Sequence, residues 1–304
     1  MKLDKTNCLG GYWNGKEIIG IKYGDYVIYP HVSDIPEGST LYKPHEYKNN
    51  TTIETVNTFV TAQHTDLSDM FYGCTSLRTI SNMGLWNTSN VTDMDEMFYK
   101  CSSLTTIAGI DKWDTSNVND MTSMFSQCNK ITKLNVNNFN TSNVTSMFRM
   151  FDECRNLTSL NVSNFDTRKV ETMNGMFYYC CELTKLNLSN FYTDKIRGTG
   201  YGSMFAMFAS CGNLTSLDIR NFNIAHLANY DVQSMFYYCN KLQELRLDNC
   251  SKDTINRIIT SSGFPTNSIS GVTRKIYVKQ ANVSGLTAPT NWVFVNCSTG
   301  MTIS

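Results

Sequence analysis

The sequence has little charge and no long apolar run. Only 17% of its 304 residues are charged, and 26 basic side chains balance 26 acidic ones. A protein that binds a phosphate backbone carries a basic excess, so we expect no nucleic-acid partner.

A membrane-spanning helix needs roughly 18 consecutive apolar residues, and the N-terminus lacks the apolar stretch of a secretory leader. We therefore expect neither membrane insertion nor a leader in this sequence.

Signatures of catalytic and metal sites are also missing. The four histidines are isolated, and the sequence holds no zinc-protease motif, nucleophile elbow or phosphate-binding P-loop. Common hydrolase, zinc and nucleotide sites are usually recognised in a sequence by these motifs. We expect a protein that is not an enzyme and that has no cofactor and no metal.

What the sequence does have is an internal repeat. Seven Met-Phe pairs recur at spacings of 27, 27, 26, 26, 31 and 28 residues, and a cysteine follows each phenylalanine by three positions. Two aliphatic residues follow the cysteine at further steps of three. The pairs begin at Met70, Met97, Met124, Met150, Met176, Met207 and Met235. A fixed period of this length is typical of solenoids, in which one unit buries its apolar face only by stacking on its neighbours.

Each unit combines two hydrophobic periods. Apolar residues within 91–101 recur at helical spacing, and the preceding Asn-Thr-Ser-Asn segment offers N-cap side chains. Residues 160–162 alternate instead, as in a short strand with one face inward. The pattern predicts an α/β solenoid, a leucine-rich repeat with seven strand–helix units of 26–31 residues and its parallel sheet on the concave side.

One stretch of the repeat carries a family resemblance. Residues 157–167 read Leu-Thr-Ser-Leu-Asn-Val-Ser-Asn-Phe-Asp-Thr, and residues 176–180 read Met-Phe-Tyr-Tyr-Cys. The pattern resembles the BspA-type leucine-rich repeat, over about residues 64–250. That family is common in surface proteins of gut and oral Bacteroidetes and of mycoplasmas, and it also occurs in phage proteins. The resemblance implies binding or adhesion, with no shared catalytic residues.

The segment before the repeats has a different character. Asn-Gly and Gly-Asp turn signals within residues 1–32 predict a small β-rich module of two or three short strands. The module resembles short N-terminal modules of phage tail and virion proteins, and a plain N-terminal cap is the alternative. Its aromatic residues are candidate attachment residues: Tyr12, Trp13, Tyr23 and Tyr26.

The rest of the chain divides around the repeats. Residues 33–63 are predicted to be a linker leading into the solenoid, which spans 64–250. Residues 251–304 are predicted to form a C-terminal β cap. It should hold a short helix at 253–261 and strands at 275–278 and 292–295.

Tyrosines occupy the two positions after several Met-Phe pairs. Tyrosine offers rigid contact area and a hydroxyl group, so an exposed row would be a binding face, whereas a buried row would be the edge of the core. A further tyrosine lies in the glycine-rich segment 198–202, which falls in the longest repeat spacing and predicts an insertion loop. The candidate binding residues are Tyr72, Tyr99, Tyr178, Tyr179, Tyr201, Tyr237 and Tyr238.

The cysteine column invites a metal-site interpretation, but metal sites need two or more cysteines at short spacing. Buried apolar thiols fit the column better. Exposed thiols are expected outside it, at Cys8, Cys181, Cys250 and Cys297.

Two functions fit these observations. The first is a phage virion protein, structural or receptor-binding, in which the N-terminal module attaches a displayed solenoid. The alternative is a bacterial cell-surface adhesin that is displayed or secreted and binds a host protein or glycan. A protein partner is expected in both cases, and a homo-oligomer is compatible with either.

Overall fold

The computed structural model describes residues 8–13, 16–23, 26–28, 40–41, 43–60, 62–197 and 202–303, with side chains from residue 43 onward. Across the repeats the chain winds into successive coils. Most coils bring a short parallel strand to one side, and a ribbon of turns forms the other side. This arrangement confirms a repeat solenoid.

Near the N-terminus, three antiparallel strands form a separate sheet. They are β1 (Cys8–Trp13), β2 (Lys16–Tyr23) and β3 (Tyr26–Ile28), in the order β1-β2-β3. The predicted short strands are therefore confirmed. The four candidate attachment aromatics lie in these strands, but their side chains are outside the described part of the structure.

Parallel strands from successive coils form the sheet side. The solenoid strands are β4 (Thr40–Leu41), β5 (Thr55–Phe59), β6 (Thr79–Ser81), β7 (Lys133–Leu134), β8 (Ser159–Leu160), β9 (Lys185–Asn187), β10 (Ser216–Asp218) and β11 (Glu244–Arg246). In the last three, Leu186, Leu217 and Leu245 lie opposite one another and are buried. The predicted inward face is confirmed there. The second repeat forms no strand: its chain turns at Gly109, which packs against Gly84, into a 3-10 helix at Ile110–Lys112.

The predicted repeat helix is wrong, because the described repeats hold turns where it was expected. A helix requires every residue to be right-handed, yet a residue with left-handed φ precedes each of the seven repeat Met-Phe pairs and each column cysteine. Before the pairs these residues are Asp69, Glu96, Ser123, Arg149, Gly175, Ala206 and Ser234. Before the cysteines they are Gly73, Lys100, Gln127, Glu153, Tyr179, Ser210 and Tyr238. We call this succession of turns the turn ribbon.

The left-handed residues direct alternate N–H groups along the stack. In the second repeat, the N–H of Glu96 donates to Thr122 O at 2.8 Å and that of Lys100 to Ser126 O at 2.9 Å. The intervening Tyr99 N–H closes a turn within its own coil, to Glu96 O at 2.9 Å. Consecutive turns still return apolar side chains inward every three residues, which is why the sequence showed helical spacing.

Stacked phenylalanines fill the core beside the ribbon. The rings of Phe98 and Phe125 are 5.6 Å apart with planes 6° from parallel, and Phe125 and Phe151 are 5.7 Å apart at 5°. Offset stacking of this kind contributes about 0.5–1.5 kcal/mol per pair beyond burial. The buried Cys128 thiol donates to Phe98 O of the preceding coil at 3.2 Å, so the cysteine column also links neighbouring coils.

The polar Asn-Thr-Ser-Asn segments connect coils instead of capping helices. Buried Thr115 donates its hydroxyl to Asn140 O at 3.0 Å and accepts the Asn140 N–H at 2.8 Å. Asn117 reaches back to Ser89 O at 2.7 Å. The expected N-cap role is therefore wrong, since these side chains satisfy main-chain groups of adjacent coils.

The C-terminal segment extends the same sheet. Helix α1 (Lys252–Ile259) begins at Ser251, whose hydroxyl accepts the Thr254 N–H at 3.2 Å. The remaining strands are β12 (Arg274–Val278), β13 (Trp292–Asn296) and β14 (Thr302–Ile303). The predicted helix and strands of this region are confirmed, whereas the division into domains at residues 33, 64 and 251 stays a prediction.

We expect Gln127→Val to destabilise the protein by about 1–2 kcal/mol, because a β-branched residue is strained at left-handed φ and Gln127 has a φ of 61°. Gln127→Asn should be nearly neutral, since asparagine tolerates this conformation. Urea unfolding midpoints would measure both. Lys133→Val is the matched control: its side chain is exposed on strand β7, where valine is favoured. An equal loss in Gln127→Val and Lys133→Val would contradict the turn-ribbon account.

Candidate functional site

The positions after each Met-Phe pair lie on the turn ribbon, where several side chains reach the surface. Tyr237 is 46% exposed and Tyr238 is 56% exposed. Four more tyrosines at these positions are half-buried: Tyr72, Tyr99, Tyr178 and Tyr179. We call these six residues the tyrosine face. Tyr201, the seventh candidate, lies outside the described residues, as does most of its insertion loop.

The first two tyrosines form a pair flanked by lysines. The rings of Tyr72 and Tyr99 are 4.9 Å apart, and each has an ammonium group near its face. Lys48 Nζ is 5.1 Å from the Tyr72 ring centre, and Lys100 Nζ is 4.9 Å from that of Tyr99. Such contacts hold an aromatic ring and a cation at one surface position.

The remaining tyrosines are consecutive in sequence and pack against each other. Tyr178 and Tyr179 meet edge to face at 4.6 Å, with the Arg155 guanidinium 5.0 Å from the Tyr179 ring. Burial raises the pKa of Tyr178. Tyr237 and Tyr238 lie 4.1 Å apart. Each pair therefore presents two rings in a fixed mutual orientation.

Small polar residues interrupt the tyrosine face. In the third and fourth repeats the position after phenylalanine holds Ser126 and Asp152, which are buried and bond to each other at 3.2 Å. Burial raises the pKa of Asp152 to about 6. Because coils are spaced by about 5 Å, the tyrosines form three separate clusters along the ribbon instead of one continuous row.

An acidic group lies near the start of the ribbon. Burial, together with the nearby charges of Asp120 and Glu96, raises the pKa of Asp95 to about 7. Its Oδ1 atom is buried and has no hydrogen-bond partner among the described residues. Asp93 also has a raised pKa, mainly through burial. These carboxyls repel one another and make this part of the ribbon sensitive to pH.

One polar and aromatic cluster lies on the outward sheet face. Asp218, Arg246 and Tyr277 occupy matching positions on adjacent strands. The Arg246 guanidinium lies 5.0 Å from the Tyr277 ring centre. Tyr277 comes from the segment after the repeats, so the repeat columns gave no signal for it.

Two exposed aromatics near the insertion were also missed. Tyr230 is 49% exposed and Phe205 is 38% exposed, and both approach Gly202, the last residue of the predicted insertion loop. Their position in the sequence could have indicated these two aromatics, because both lie close to the repeat with the longest spacing.

The column cysteines are buried thiols. Burial raises the pKa of Cys239 to about 12 and that of Cys101 well above the ordinary value. Cys250 is also buried, so the expectation that it is exposed is wrong: its thiol lies 3.6 Å from Ile219 O. Cys181 and Cys297 are half-exposed, whereas the Cys8 side chain is outside the described part.

The described residues hold neither a metal-ligand cluster nor a membrane-spanning helix. No group of three or more His, Cys, Asp or Glu side chains there is placed to hold a metal ion. No helix in that part of the chain is long and apolar enough to cross a membrane.

The stacked coils define a repeat-solenoid protein. More particularly, the chain belongs to the family described as "Mycoplasma protein of unknown function, DUF285", whose model matches residues 43–158, 105–201 and 154–264. The overlapping matches run along the coils, as expected for a family model built on a repeat.

Two solved structures are similar to this chain. A leucine-rich cell surface protein from Faecalibacterium prausnitzii A2-165 is 14% identical, with a TM-score of 0.33, and the match covers 96% of this chain and 94% of that one. A leucine-rich-repeat protein from Bacteroides ovatus ATCC 8483 is 13% identical, with a TM-score of 0.32, and covers 99% and 93%. Likeness at this level carries no inference about what this chain binds.

No curated protein matches the sequence. Neither the family nor the two structures supports the expected virion role or the phage-tail resemblance of residues 1–32.

We expect thiol labelling to discriminate between the buried column cysteines and the half-exposed Cys181 and Cys297. With the native protein and iodoacetamide, mass spectrometry should find Cys181 and Cys297 alkylated first, because a buried thiol with a raised pKa is rarely a thiolate and is shielded from reagent. In urea, all cysteines should react. Labelling of Cys128 in the native protein at the rate of Cys297 would contradict the burial of the column.

We expect Asp95→Asn to stabilise the protein at neutral and alkaline pH. The folded state holds the Asp95 proton more tightly than the unfolded chain does. The associated stability is complete below about pH 4 and is lost as pH rises through about 7. The variant's Tm should therefore exceed the wild-type value by a few degrees at alkaline pH and match it in acid.

Asp114→Asn is a control for which we expect the opposite change in Tm. Hydrogen bonds from Ser116 lower the pKa of Asp114, so its stabilising contribution is present above its unfolded pKa and is lost as pH falls. Asp114→Asn should lower the Tm at neutral pH. A lower Tm for Asp95→Asn than for the wild type at alkaline pH would rule out the predicted linkage.

Proposed function

We propose that this chain is a non-catalytic adhesion protein of a bacterial cell surface and that it contacts a protein or glycan through the tyrosine face. The observation that carries the proposal is the placement of six tyrosines at the two positions after the Met-Phe pairs of the turn ribbon, all at least partly exposed. A solenoid core holds these positions in fixed orientation, so little entropy is lost when they bind.

The chemistry of the face suits a neutral or weakly acidic ligand. Tyrosine rings provide flat apolar area, and their hydroxyls donate and accept hydrogen bonds. Three of the rings have a cation 4.9–5.1 Å from their centres. Sugars combine apolar patches with hydroxyl groups, and protein surfaces that bind tyrosine side chains combine apolar patches with hydroxyl or carbonyl groups. The proposal therefore retains both ligand classes.

The proposal is tested by binding of the purified full-length chain to host cells and to a glycan array. Tyr178→Ala and Tyr237→Ala should each weaken binding by about tenfold or more, the loss typical of a hot-spot tyrosine. Far-ultraviolet circular dichroism and Tm would verify that the variants fold.

Tyr192→Ala is the matched control, since Tyr192 is 42% exposed but lies outside the tyrosine face. Binding lost equally in all three variants, or in none, would refute a role for the face. Surface labelling of intact producing cells tests the location. Detection of the chain on purified phage particles and not on cells would overturn the proposed cell-surface role.

A further inference from the structure

A cavity of about 370 Å³ opens between the seventh repeat and the C-terminal segment. Its walls are the 3-10 helix Asn229–Val232 and the residues around the end of helix α1. The volume lies in the range of small-ligand pockets, roughly 300–1,000 Å³. All the lining residues except Val232 are polar, and they include Asn229, Tyr230, Gln233, Arg257 and Ser262.

The cavity walls are held in place by buried hydrogen bonds. Asp231 is 1% exposed and accepts the N–H groups of Ala228 at 2.9 Å and Ser203 at 3.2 Å. The Ser234 N–H bonds to Ser262 O at 3.1 Å and joins the two walls. The lining is therefore preorganised, which reduces the entropy lost when a ligand binds.

Arg257 is a cation that has no acidic partner in the part of the chain that the structure describes. Unlike Arg155, Arg168 and Arg220, it takes part in no ion pair of the described residues. Its Nη1 bonds to Asn229 Oδ1 at 2.7 Å, and its Nη2 lies 3.4 Å from Ala225 O. Its Nε atom is buried and has no acceptor among the described residues.

This environment favours an anion in the cavity. Only two of the five N–H donors of the guanidinium have acceptors here, and both acceptors are uncharged. Burying part of a charge without a counter-charge is unfavourable, because the charge loses hydration and gains no compensating interaction. No carboxylate lines the cavity, so an anionic ligand would supply the missing counter-charge. A planar carboxylate matches the guanidinium geometry best.

The other lining groups fit a sugar ring. Tyr230 is half-exposed at the cavity, and an aromatic ring is suited to the apolar C–H face of a pyranose. The Gln233 amide and the Ser262 hydroxyl make no hydrogen bond to the described residues and line the same space. They offer donors and acceptors for sugar hydroxyls. A bare phosphate would use the cation but neither the ring nor the amide.

We propose that this cavity binds a carboxylate-bearing sugar, with Arg257 contacting the carboxylate, Tyr230 stacking on the sugar ring and Gln233 bonding to its hydroxyls. None of the six tyrosines of the tyrosine face lines this cavity, and the proposal does not depend on the function proposed for that face. Both sialic acids and hexuronic acids carry this combination of groups.

The test is calorimetric titration of the chain with five probes: 3′-sialyllactose, its methyl ester, digalacturonic acid, lactose and inorganic phosphate. At least one of the two acids should bind, and lactose should bind at least about tenfold more weakly. The acid that binds shows whether the ligand is a sialic acid or a hexuronic acid. Esterification removes the charge without altering the protein, so weaker binding of the ester would test the carboxylate contact even if a variant misfolds.

Arg257→Gln should weaken binding of the acidic sugar by about tenfold or more, and Tyr230→Ala should weaken both the acid and its ester. Arg168→Gln is the matched control, because Arg168 is an exposed arginine paired with Asp166 on another part of the solenoid. The proposal is overturned if neither acid binds at millimolar concentration or if inorganic phosphate binds as tightly as the acids. Equal binding of lactose, or unchanged binding in Arg257→Gln, would overturn it as well.

Discussion

The structure depends on main-chain hydrogen bonds that run from each coil to the next. On the turn ribbon, left-handed residues such as Glu96 and Lys100 direct alternate N–H groups along the stack. An isolated coil would leave these donors unpaired and its Met, Phe and Cys side chains in water, so no coil is stable alone. The phenylalanine stack, with successive ring centres 5.6–5.8 Å apart, packs the interior over the same length.

This constraint separates the positions that maintain the coils from those free to vary. The Met, Phe and Cys columns are the same in every repeat, and the left-handed φ recurs in every repeat with different side chains. The position after phenylalanine holds tyrosine in four coils and serine, aspartate or alanine in the other three. Both proposed surfaces use the variable positions. The tyrosine face lies along the ribbon, and the cavity around Arg257 forms where the regular stacking gives way to the C-terminal segment.

The repeat columns predicted the buried residues well because a solenoid places each column in the same environment in every coil. The helix prediction failed for a specific reason. Apolar residues spaced three apart face inward both on a helix and on consecutive turns, so the side-chain pattern alone does not separate the two. Lys100 and Gln127 adopt a left-handed φ although neither is a glycine, so no residue type indicated this conformation.

The sequence by itself determined the repeat, its core and the inward faces of its strands, because these follow from spacing and hydrophobicity within one unit. It also identified the tyrosines but not their grouping into three clusters. The tertiary structure alone decided the turn ribbon and the cavity. Both depend on contacts between segments far apart in sequence, such as the Arg257 bond to Asn229, and no local pattern records such contacts.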